Sequence, residues 1–513
     1  MSVIGRNIVW LLISQLATWA ATLVTLIIVP DRLGSSDFGM YGYAVSYVEF
    51  FQLVAGLGTN TLLTRLISRD HGTFGPYVWN ALWLKVVLVA GLSAVALGLA
   101  VALGNRGTQL LLIGIGCGTM FFLVQANVFS GALLGVQRAA RPAMWTVVQV
   151  YFQTIAGVVV LQAGWGVVAY ATVMMLGQVI PVVGMGMVTR PYLRGHRKLD
   201  WAVWRALVVG GIPLMTLMFF SMVYGTINVP ILLHLSGREA VGWYVLALRW
   251  VAIPIFITTA VVSAYFPAFS QHGNPMTPHF APLVNRSVAL VVLITVPAAT
   301  GLALVADDLI HFIYSSGQYD SSIIIMRILA LQIPITAITT MLGTALVAAD
   351  RVGRYIYVSA TVAAINPVAC FFVIRFADER WDNGAIGSAI VMVATEVLVL
   401  IGALAFRSKG VMDRAALGHV ARVLAAAGVM TGAVLLVRDQ NLMLQVLAGV
   451  VSYGVASLAF RAITRQDVQR VVELRAMLRR RAAGGHDEGA VQDGSRIDPD
   501  GPTRVGGDLH PQP

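Results

Sequence analysis

Residues 29–41 read VPDRLGSSDFGMY, and residues 229–244 read VPILLHLSGREAVGWY. In each stretch an apolar run ends near a proline, a short polar turn follows, and a Gly-x-Tyr sequence opens the next apolar run. A second matching pair, beginning at Gly166 and at Gly384, opens later apolar runs in the same order. The pattern predicts two parallel repeats, and transporters built from such repeats commonly hold their substrate site at the repeat interface.

The composition is that of a membrane protein. Of the 513 residues, 58% are hydrophobic and only 12% are charged, whereas a soluble domain carries about 25% charged residues. A helix needs about 20 apolar residues to cross the roughly 30 Å hydrocarbon core. The sequence therefore predicts an all-α membrane protein with about fourteen transmembrane helices, here called spans 1–14: 7–29, 38–63, 78–104, 108–134, 142–163, 166–190, 205–233, 240–266, 283–305, 323–348, 354–374, 384–406, 418–437 and 442–460.

The net charge of +11 is explained by membrane orientation and does not indicate a nucleic-acid partner. Lys and Arg residues accumulate in the cytoplasmic loops of membrane proteins. If the N-terminus is cytoplasmic, seventeen Lys and Arg residues fall in cytoplasmic segments up to Arg422, and six fall in outside loops. This bias predicts a multi-pass protein of the bacterial inner membrane with an even number of spans and both termini in the cytoplasm.

The chain is predicted to divide into two lobes and a C-terminal extension. Residues 1–200 form an N-lobe with spans 1–6, residues 201–410 form a C-lobe with spans 7–12, and residues 411–463 hold spans 13 and 14. Residues 464–481 combine valines and leucines with several arginines, which predicts a basic amphipathic helix on the anionic cytoplasmic leaflet. Residues 482–513 are rich in Gly, Asp and Pro, which predicts a disordered tail.

Several of these stretches resemble a known family. Together they are similar to the polysaccharide-repeat (Wzx-type) flippases, in a superfamily that also includes lipid II flippases and multidrug exporters, and the resemblance covers about residues 5–460. The matching stretches are Asn7 to Gln15, Pro30 to Tyr41, Gly56-Leu57-Gly58-Thr59 with Arg65, Val241 to Arg249, and Asn383 to Ala389.

The resemblance implies a V-shaped pair of six-helix lobes that works by alternating access. It implies an undecaprenyl-pyrophosphate-linked oligosaccharide as cargo, moved to the outer leaflet for exopolysaccharide, capsule or O-antigen synthesis. Membrane lipids surround such a protein, and a glycan polymerase and glycosyltransferases are its candidate protein partners.

Ionisable residues within the membrane are costly and usually functional. Arg249, Glu49 and Glu396 lie near the midplane of their spans, whereas Lys85 and Arg327 lie closer to span ends and can snorkel. All five are candidate substrate-binding residues. A guanidinium presents paired donors that suit a pyrophosphate, so Arg249 is the leading candidate. The alternative is that Arg249 forms a structural ion pair with Glu49 or Glu396.

Polar side chains also recur on one face of spans 1 and 7, the equivalent first helices of the two lobes. We expect these faces to line a wet cavity. Similar stripes in spans 5 and 10 are interpreted as hydrogen bonds between helices. The candidate substrate-binding residues of spans 1 and 7 are Gln15, Thr18, Thr22, Tyr224 and Asn228.

No enzyme motif is found: the chain lacks a Walker A sequence, an HExxH sequence and a nucleophile elbow. The two cysteines, Cys117 and Cys370, lie inside spans without metal-ligand spacing, so neither a metal nor a cofactor is predicted. Two alternatives to a flippase stay open. One is a multidrug or small-cation exporter of the same fold. The other is a membrane glycosyltransferase or polymerase, although the longest outside connection, about 306–322, is short for that class.

Overall fold

The computed structural model describes residues 3–193, 195, 198–273, 277–314 and 316–462, without the side chains of residues 3–13, 217 and 257. The predicted amphipathic helix at 464–481 and the predicted tail at 482–513 lie outside the described residues. Apart from one short 3-10 turn, every element of the described part is an α-helix.

Seventeen α-helices follow one another along the described chain. They are α1 (Val3–Gly56), α2 (Thr59–Arg69), α3 (Phe74–Ala102), α4 (Thr108–Gly135), α5 (Ala140–Gln162), α6 (Gly166–Gly177), α7 (Val179–Leu193), α8 (Trp201–Thr226), α9 (Asn228–Gly273), α10 (Phe280–Leu304), α11 (Ala306–Ile313), α12 (Asp320–Ala330), α13 (Gln332–Ala348), α14 (Val352–Trp381), α15 (Gly384–Ala405), α16 (Arg414–Leu436) and α17 (Leu442–Ala459).

Within the described residues, 12 helical segments are long and apolar enough to cross a membrane. Two of them, Ser14–Arg69 and Met218–Gly273, are 56 residues long, or about 84 Å at 1.5 Å per residue, far more than one bilayer requires. Each contains a glycine outside helical geometry, Gly34 (φ 73°, ψ 169°) in α1 and Gly237 (φ 84°, ψ −172°) in α9. Glycine adopts such positive φ values without a Cβ penalty. Counting each long segment as two helices gives fourteen spans, in agreement with the sequence.

The two kinks lie at equivalent places in the two quoted stretches, and the helices that follow them pack against each other. A Cβ on Gly39 would contact the carbonyl oxygen of Arg238, and a Cβ on Gly242 would contact the carbonyl oxygen of Ser35. The contact is therefore reciprocal, as expected when a two-fold relation places the same surface of two units face to face. This arrangement fits the predicted pair of parallel repeats, with the lobes meeting at the starts of spans 2 and 8.

We call the end of the bundle that holds Gly34 and Gly237 the outer end, because the charge distribution predicts that it faces outside. The predicted lobe boundary near residue 200 falls between α7, which ends at Leu193, and α8, which begins at Trp201. Helices α16 and α17 pack on the C-lobe through α10, where the Tyr453 hydroxyl donates to the Leu293 carbonyl oxygen at 2.7 Å. This position leaves an apolar groove beside the lobe junction.

Candidate functional site

A cavity of about 330 Å³ lies where span 8 of the C-lobe meets the N-lobe. We call it the Arg249 cavity. Its walls come from spans 1, 2, 5 and 6 on one side and from span 8 on the other, so it lies at the repeat interface that the sequence predicted for a site. The lining residues are Trp19, Thr22, Leu23, Thr25, Leu26, Tyr41, Val150, Gln153, Thr154, Tyr170, Met174, Arg249, Ala252 and Ile253.

Arg249 is the one charged residue in this wall. Its side chain is half-buried, and the guanidinium carbon lies 5.0 Å from the centre of the Phe38 ring, across the lobe junction. A guanidinium packed on an aromatic ring can still present its planar paired donors to an anion. The ion pairs found among the described residues all lie elsewhere, so Arg249 is not within 4.0 Å of Glu49 or Glu396. The alternative of a structural ion pair therefore finds no support in this conformation.

Hydroxyl, amide and aromatic groups hold the N-lobe side of the cavity in shape. The Thr25 and Thr154 hydroxyls are 3.2 Å apart, which joins span 1 to span 5. The Gln153 amide donates to the Met174 carbonyl oxygen at 2.7 Å, which joins span 5 to span 6. The rings of Tyr41 and Tyr170 meet edge to face at 5.2 Å. These contacts between helices fix the shape of a wall that carries both polar and apolar side chains.

The structure places the predicted residues of span 1 at different depths. Thr22 lines the cavity and donates its hydroxyl proton to the Thr18 carbonyl oxygen at 2.9 Å. Thr18 in turn donates to the Ser14 carbonyl oxygen at 2.8 Å, and neither Thr18 nor the exposed Gln15 is part of the cavity wall. The predicted polar face therefore reaches the cavity only at its outer turns.

Sequence reasoning missed the contribution of span 5. Its polar stripe was interpreted as hydrogen bonds between helices, yet Gln153 of that stripe and its neighbour Thr154 make contacts between helices and also line the cavity. Tyr41 was also missed as a cavity residue, although it is the tyrosine of the first Gly-x-Tyr sequence. That sequence was the available signal, since it marks the start of span 2, where Gly39 packs against the other lobe.

Three predicted residues of the C-lobe are buried away from the cavity. Asn228 is fully buried, where it donates to the Tyr244 hydroxyl at 3.1 Å and accepts from the Cys370 thiol at 2.7 Å. Glu396 is 5% exposed and lies beside Thr336 of span 10. Tyr224, 8% exposed, packs with valines of spans 11 and 12. These residues lie within the C-lobe and do not join Arg249.

Glu49 is exposed on span 2. On the same face, Gln52 lines a small cavity of about 70 Å³ that shares Tyr41 and Met174 with the Arg249 cavity. Glu49 itself belongs to neither wall. The structure thus separates Glu49 from Arg249, although the sequence placed them at a similar depth.

Lys85 and Arg327 also lie apart from the cavity. Lys85 is 1% exposed, and its ammonium donates to the carbonyl oxygens of Ala55 and Gly56 at 2.6 and 2.8 Å. A cation at the C-terminal end of a helix is stabilised by the helix dipole, so Lys85 caps the end of α1 at Gly56. Arg327 lies at the surface, with its guanidinium 3.9 Å from the Asp307 carboxylate.

We expect Lys85→Met to lower the free energy of unfolding by about 1–3 kcal/mol, because two carbonyl groups at a helix end lose a charged donor. Arg327→Met serves as the matched control. It removes a half-exposed pair and should cost less than about 1 kcal/mol. Thermal unfolding of the purified variants measures both effects. Equal losses in the two variants would contradict the capping role of Lys85.

A second, apolar groove of about 470 Å³ runs between spans 8, 9, 13 and 14. Two of its polar side chains make hydrogen bonds with the backbone. Gln445 donates to the carbonyl oxygens of Arg438 and Gln440, and Tyr453 donates to that of Leu293. Ile253 lines both this groove and the Arg249 cavity. The cavity that holds the Arg249 cation and the apolar groove therefore adjoin each other at one residue.

Comparison with known proteins gives a family and a fold. A profile of the family described as "Polysaccharide biosynthesis protein" matches residues 4–272. The succinoglycan biosynthesis transport protein ExoT of Rhizobium meliloti (strain 1021) is 21% identical over 318 residues, which cover 61% of this chain and 63% of that protein. The similarity thus spans less than two thirds of the length of that relative.

Two solved structures share the architecture. Lipid II flippase MurJ, in an inward closed conformation, superposes with a TM-score of 0.70 at 13% identity and covers 88% of this chain and 100% of that chain. A multidrug resistance MATE family transporter of the MOP superfamily, in an inward-facing conformation, gives a TM-score of 0.59 at 16% identity over 76% of this chain and 96% of that chain. At these identities the two matches establish the fold and leave the substrate open.

Proposed function

This chain belongs to the polysaccharide biosynthesis protein family, matched over residues 4–272, and from that premise we propose that it is a flippase for a lipid-linked oligosaccharide. The family resemblance stated from the sequence is confirmed. The proposed cargo is an undecaprenyl-pyrophosphate-linked repeat unit, carried from the cytoplasmic to the outer leaflet by alternating access. The product would serve exopolysaccharide, capsule or O-antigen synthesis.

The observation that carries the proposal is the junction of the Arg249 cavity and the apolar groove at Ile253. A lipid-linked glycan has a pyrophosphate between a long apolar tail and a polar sugar chain. We propose that the tail lies in the groove beside spans 13 and 14, while the pyrophosphate meets Arg249. Both ends of one amphiphilic molecule would then be accommodated at adjoining sites.

The charge of the cavity suits this cargo. Moving a pyrophosphate unaided through hydrocarbon would cost on the order of tens of kcal/mol by Born estimates. A guanidinium offers paired, permanently charged donors to phosphate oxygens, and the hydroxyl and amide groups of Thr22, Gln153 and Thr154 offer hydrogen bonds to sugars. We propose these four residues as the substrate contacts. The same cation would repel an organic cation, so the cavity disfavours the small-cation exporter.

We also propose an inner-membrane location with both termini in the cytoplasm, supported by the distribution of Lys and Arg in the loops. The outer end would then face the periplasm. Glycosyltransferases and a glycan polymerase are the proposed partners. The glycosyltransferases would supply the lipid-linked repeat unit, and the polymerase would consume it. The predicted boundaries of the lobes at residues 200 and 410 belong to the same proposal.

Reconstituted vesicles test the function. Purified protein in liposomes is expected to equilibrate a fluorescent polyprenyl-pyrophosphate-linked disaccharide between leaflets, measured by quenching with a reductant that does not cross the membrane. A fluorescent phosphatidylcholine serves as the control lipid and should stay in its leaflet. Efflux of an organic cation without movement of the lipid-linked sugar would contradict the proposal and favour the exporter.

A further inference from the structure

The loop between α10 and α12 reaches from the C-lobe onto the end of span 1 in the N-lobe. The Tyr314 hydroxyl donates to the Leu26 carbonyl oxygen at 2.8 Å, and the Tyr319 hydroxyl donates to the Pro30 carbonyl oxygen at 2.9 Å. Both tyrosines are almost fully buried, at 0% and 1% exposure. Two hydrogen bonds shielded from water therefore join the lobes at the outer end.

The sequence of span 1 explains why one of these carbonyl groups can accept. In a helix the Leu26 carbonyl oxygen would accept from the backbone N–H four residues later, at position 30. Position 30 is a proline and has no N–H, so this acceptor needs a partner from elsewhere. Tyr314 supplies it across the lobe junction. Because a buried carbonyl group without a donor is costly, the bond favours the closed outer end.

Only the C-lobe has a long loop at this position, and this loop carries Tyr314 and Tyr319. The loop between α10 and α12 includes the short helix α11, Ala306–Ile313. The corresponding N-lobe connection, between α3 and α4, consists only of residues 103–107. The added loop is therefore a feature of the C-lobe that the two-fold relation does not require.

An aromatic chain links these tyrosines to the cavity. Tyr319 meets the edge of Phe38 with ring centres 6.5 Å apart, and Tyr314 lies 5.2 Å from Tyr319. Phe38 is fully buried, and its ring is the one that carries the Arg249 guanidinium at 5.0 Å. Phe38 belongs to the N-lobe, whereas Tyr319 and Arg249 belong to the C-lobe. One N-lobe ring is thus in contact with both Arg249 and Tyr319.

We propose that Tyr314 and Tyr319 form a latch that holds the outer end closed, and that Phe38 couples this latch to Arg249. A cation over an aromatic ring stabilises the contact, so an anion that draws the guanidinium from Phe38 weakens the latch. The identity of that anion as the pyrophosphate of the cargo rests on the proposed function. Arrival of substrate in the cavity would then open the outer end above it.

The latch is tested by measuring the separation of the lobes directly. Arg106 of the N-lobe and Arg380 of the C-lobe are both exposed at the outer end. Each is replaced by a cysteine that carries a spin label. The native Cys117 and Cys370 are buried, which shields them from the labelling reagent. Double electron–electron resonance in lipid nanodiscs measures the distance between the two labels and so gives the ratio of molecules with an open outer end to molecules with a closed one. Tyr314→Phe with Tyr319→Phe is expected to raise this ratio about tenfold, since two buried hydrogen bonds are lost.

Tyr47→Phe is the matched control for the latch. Its hydroxyl donates to the Ala96 carbonyl oxygen at 2.8 Å in an equally buried site, but within the N-lobe. This variant should leave the distance distribution unchanged. A double tyrosine variant that behaves like Tyr47→Phe would overturn the latch.

The coupling through Phe38 is tested without any ligand. Arg249→Met and Phe38→Leu are each expected to raise the open ratio about threefold, the order expected for one cation–π contact. Because both changes remove the same contact, the double variant should resemble Phe38→Leu alone. A double variant whose effect is the product of the two single effects would overturn the coupling.

Farnesyl pyrophosphate then separates this inference from the proposed function. It should raise the open ratio of the wild-type protein and should not raise that of Phe38→Leu. An equal rise in both proteins would overturn the coupling. If the ligand-free results hold and farnesyl pyrophosphate changes neither protein, the latch stands and the assignment of a pyrophosphate to Arg249 fails.

Discussion

Arg249→Ala is expected to reduce flipping of a lipid-linked disaccharide by at least about a hundredfold, because charge-assisted hydrogen bonds to a pyrophosphate contribute about 1.5–3 kcal/mol each. Arg249→Lys should recover only part of the rate, since a single ammonium loses the paired donor geometry. The folded protein should lose only about 1 kcal/mol, the order of one cation–π contact with Phe38. Flipping assays and thermal unfolding on the same preparations measure both quantities.

The structure explains why Arg249→Ala should lower the free energy of unfolding only slightly. Breaking a buried ion pair strands the remaining charge and costs about 3–5 kcal/mol, but no ion pair of the described residues involves Arg249. Arg375→Ala is a suitable control, because its guanidinium is exposed and bonded to Glu379 at 2.8 Å. Recovery of transport in a double variant, Arg249→Met with Glu396→Gln, would show that Arg249 is a structural partner and end the pyrophosphate assignment.

The fold was predictable because it depends on distances along the chain. The lengths of the apolar runs decide how many times the chain crosses the membrane, and the two Gly-containing turns mark where spans 1 and 7 reverse. The structure places kinks at those turns, at Gly34 and Gly237. The pairing of the quoted stretches likewise predicted a meeting of two equivalent surfaces, which the reciprocal glycine contacts satisfy.

The site was only partly predictable because the sequence gives the depth of a residue in the membrane and not the direction in which it points. Lys85, Glu396 and Arg249 were all placed inside spans, yet their surroundings differ. Lys85 caps the end of a helix 30 residues away, Glu396 is buried in the C-lobe, and Arg249 lines the cavity. Asn228 shows the same limit, since its partners Tyr244 and Cys370 come from spans 8 and 11. Which helix faces which is set by packing between distant segments.

Gly39→Ala is expected to have the second large effect, because one methyl group suffices to separate the lobes at the outer end. The added Cβ would contact the Arg238 carbonyl oxygen and would lie 2.8 Å from the Gly242 backbone nitrogen. Backbone atoms cannot turn aside as a flexible side chain can, so the helices must part. We expect a cost of about 1–3 kcal/mol to the closed outer end and a corresponding loss of flipping of about tenfold or more.

The reciprocal variant gives the decisive comparison. A Cβ on Gly242 would contact the Ser35 carbonyl oxygen, so Gly242→Ala should match Gly39→Ala in flipping and in the Arg106–Arg380 distance. Gly98→Ala is the control, since a Cβ there meets no atom within 4 Å, and it should retain wild-type transport. If Gly39→Ala and Gly242→Ala differed widely, the starts of spans 2 and 8 would not meet as equivalents. Similar losses in both, with none at Gly98, would identify this glycine contact as the place where the two repeats close against each other.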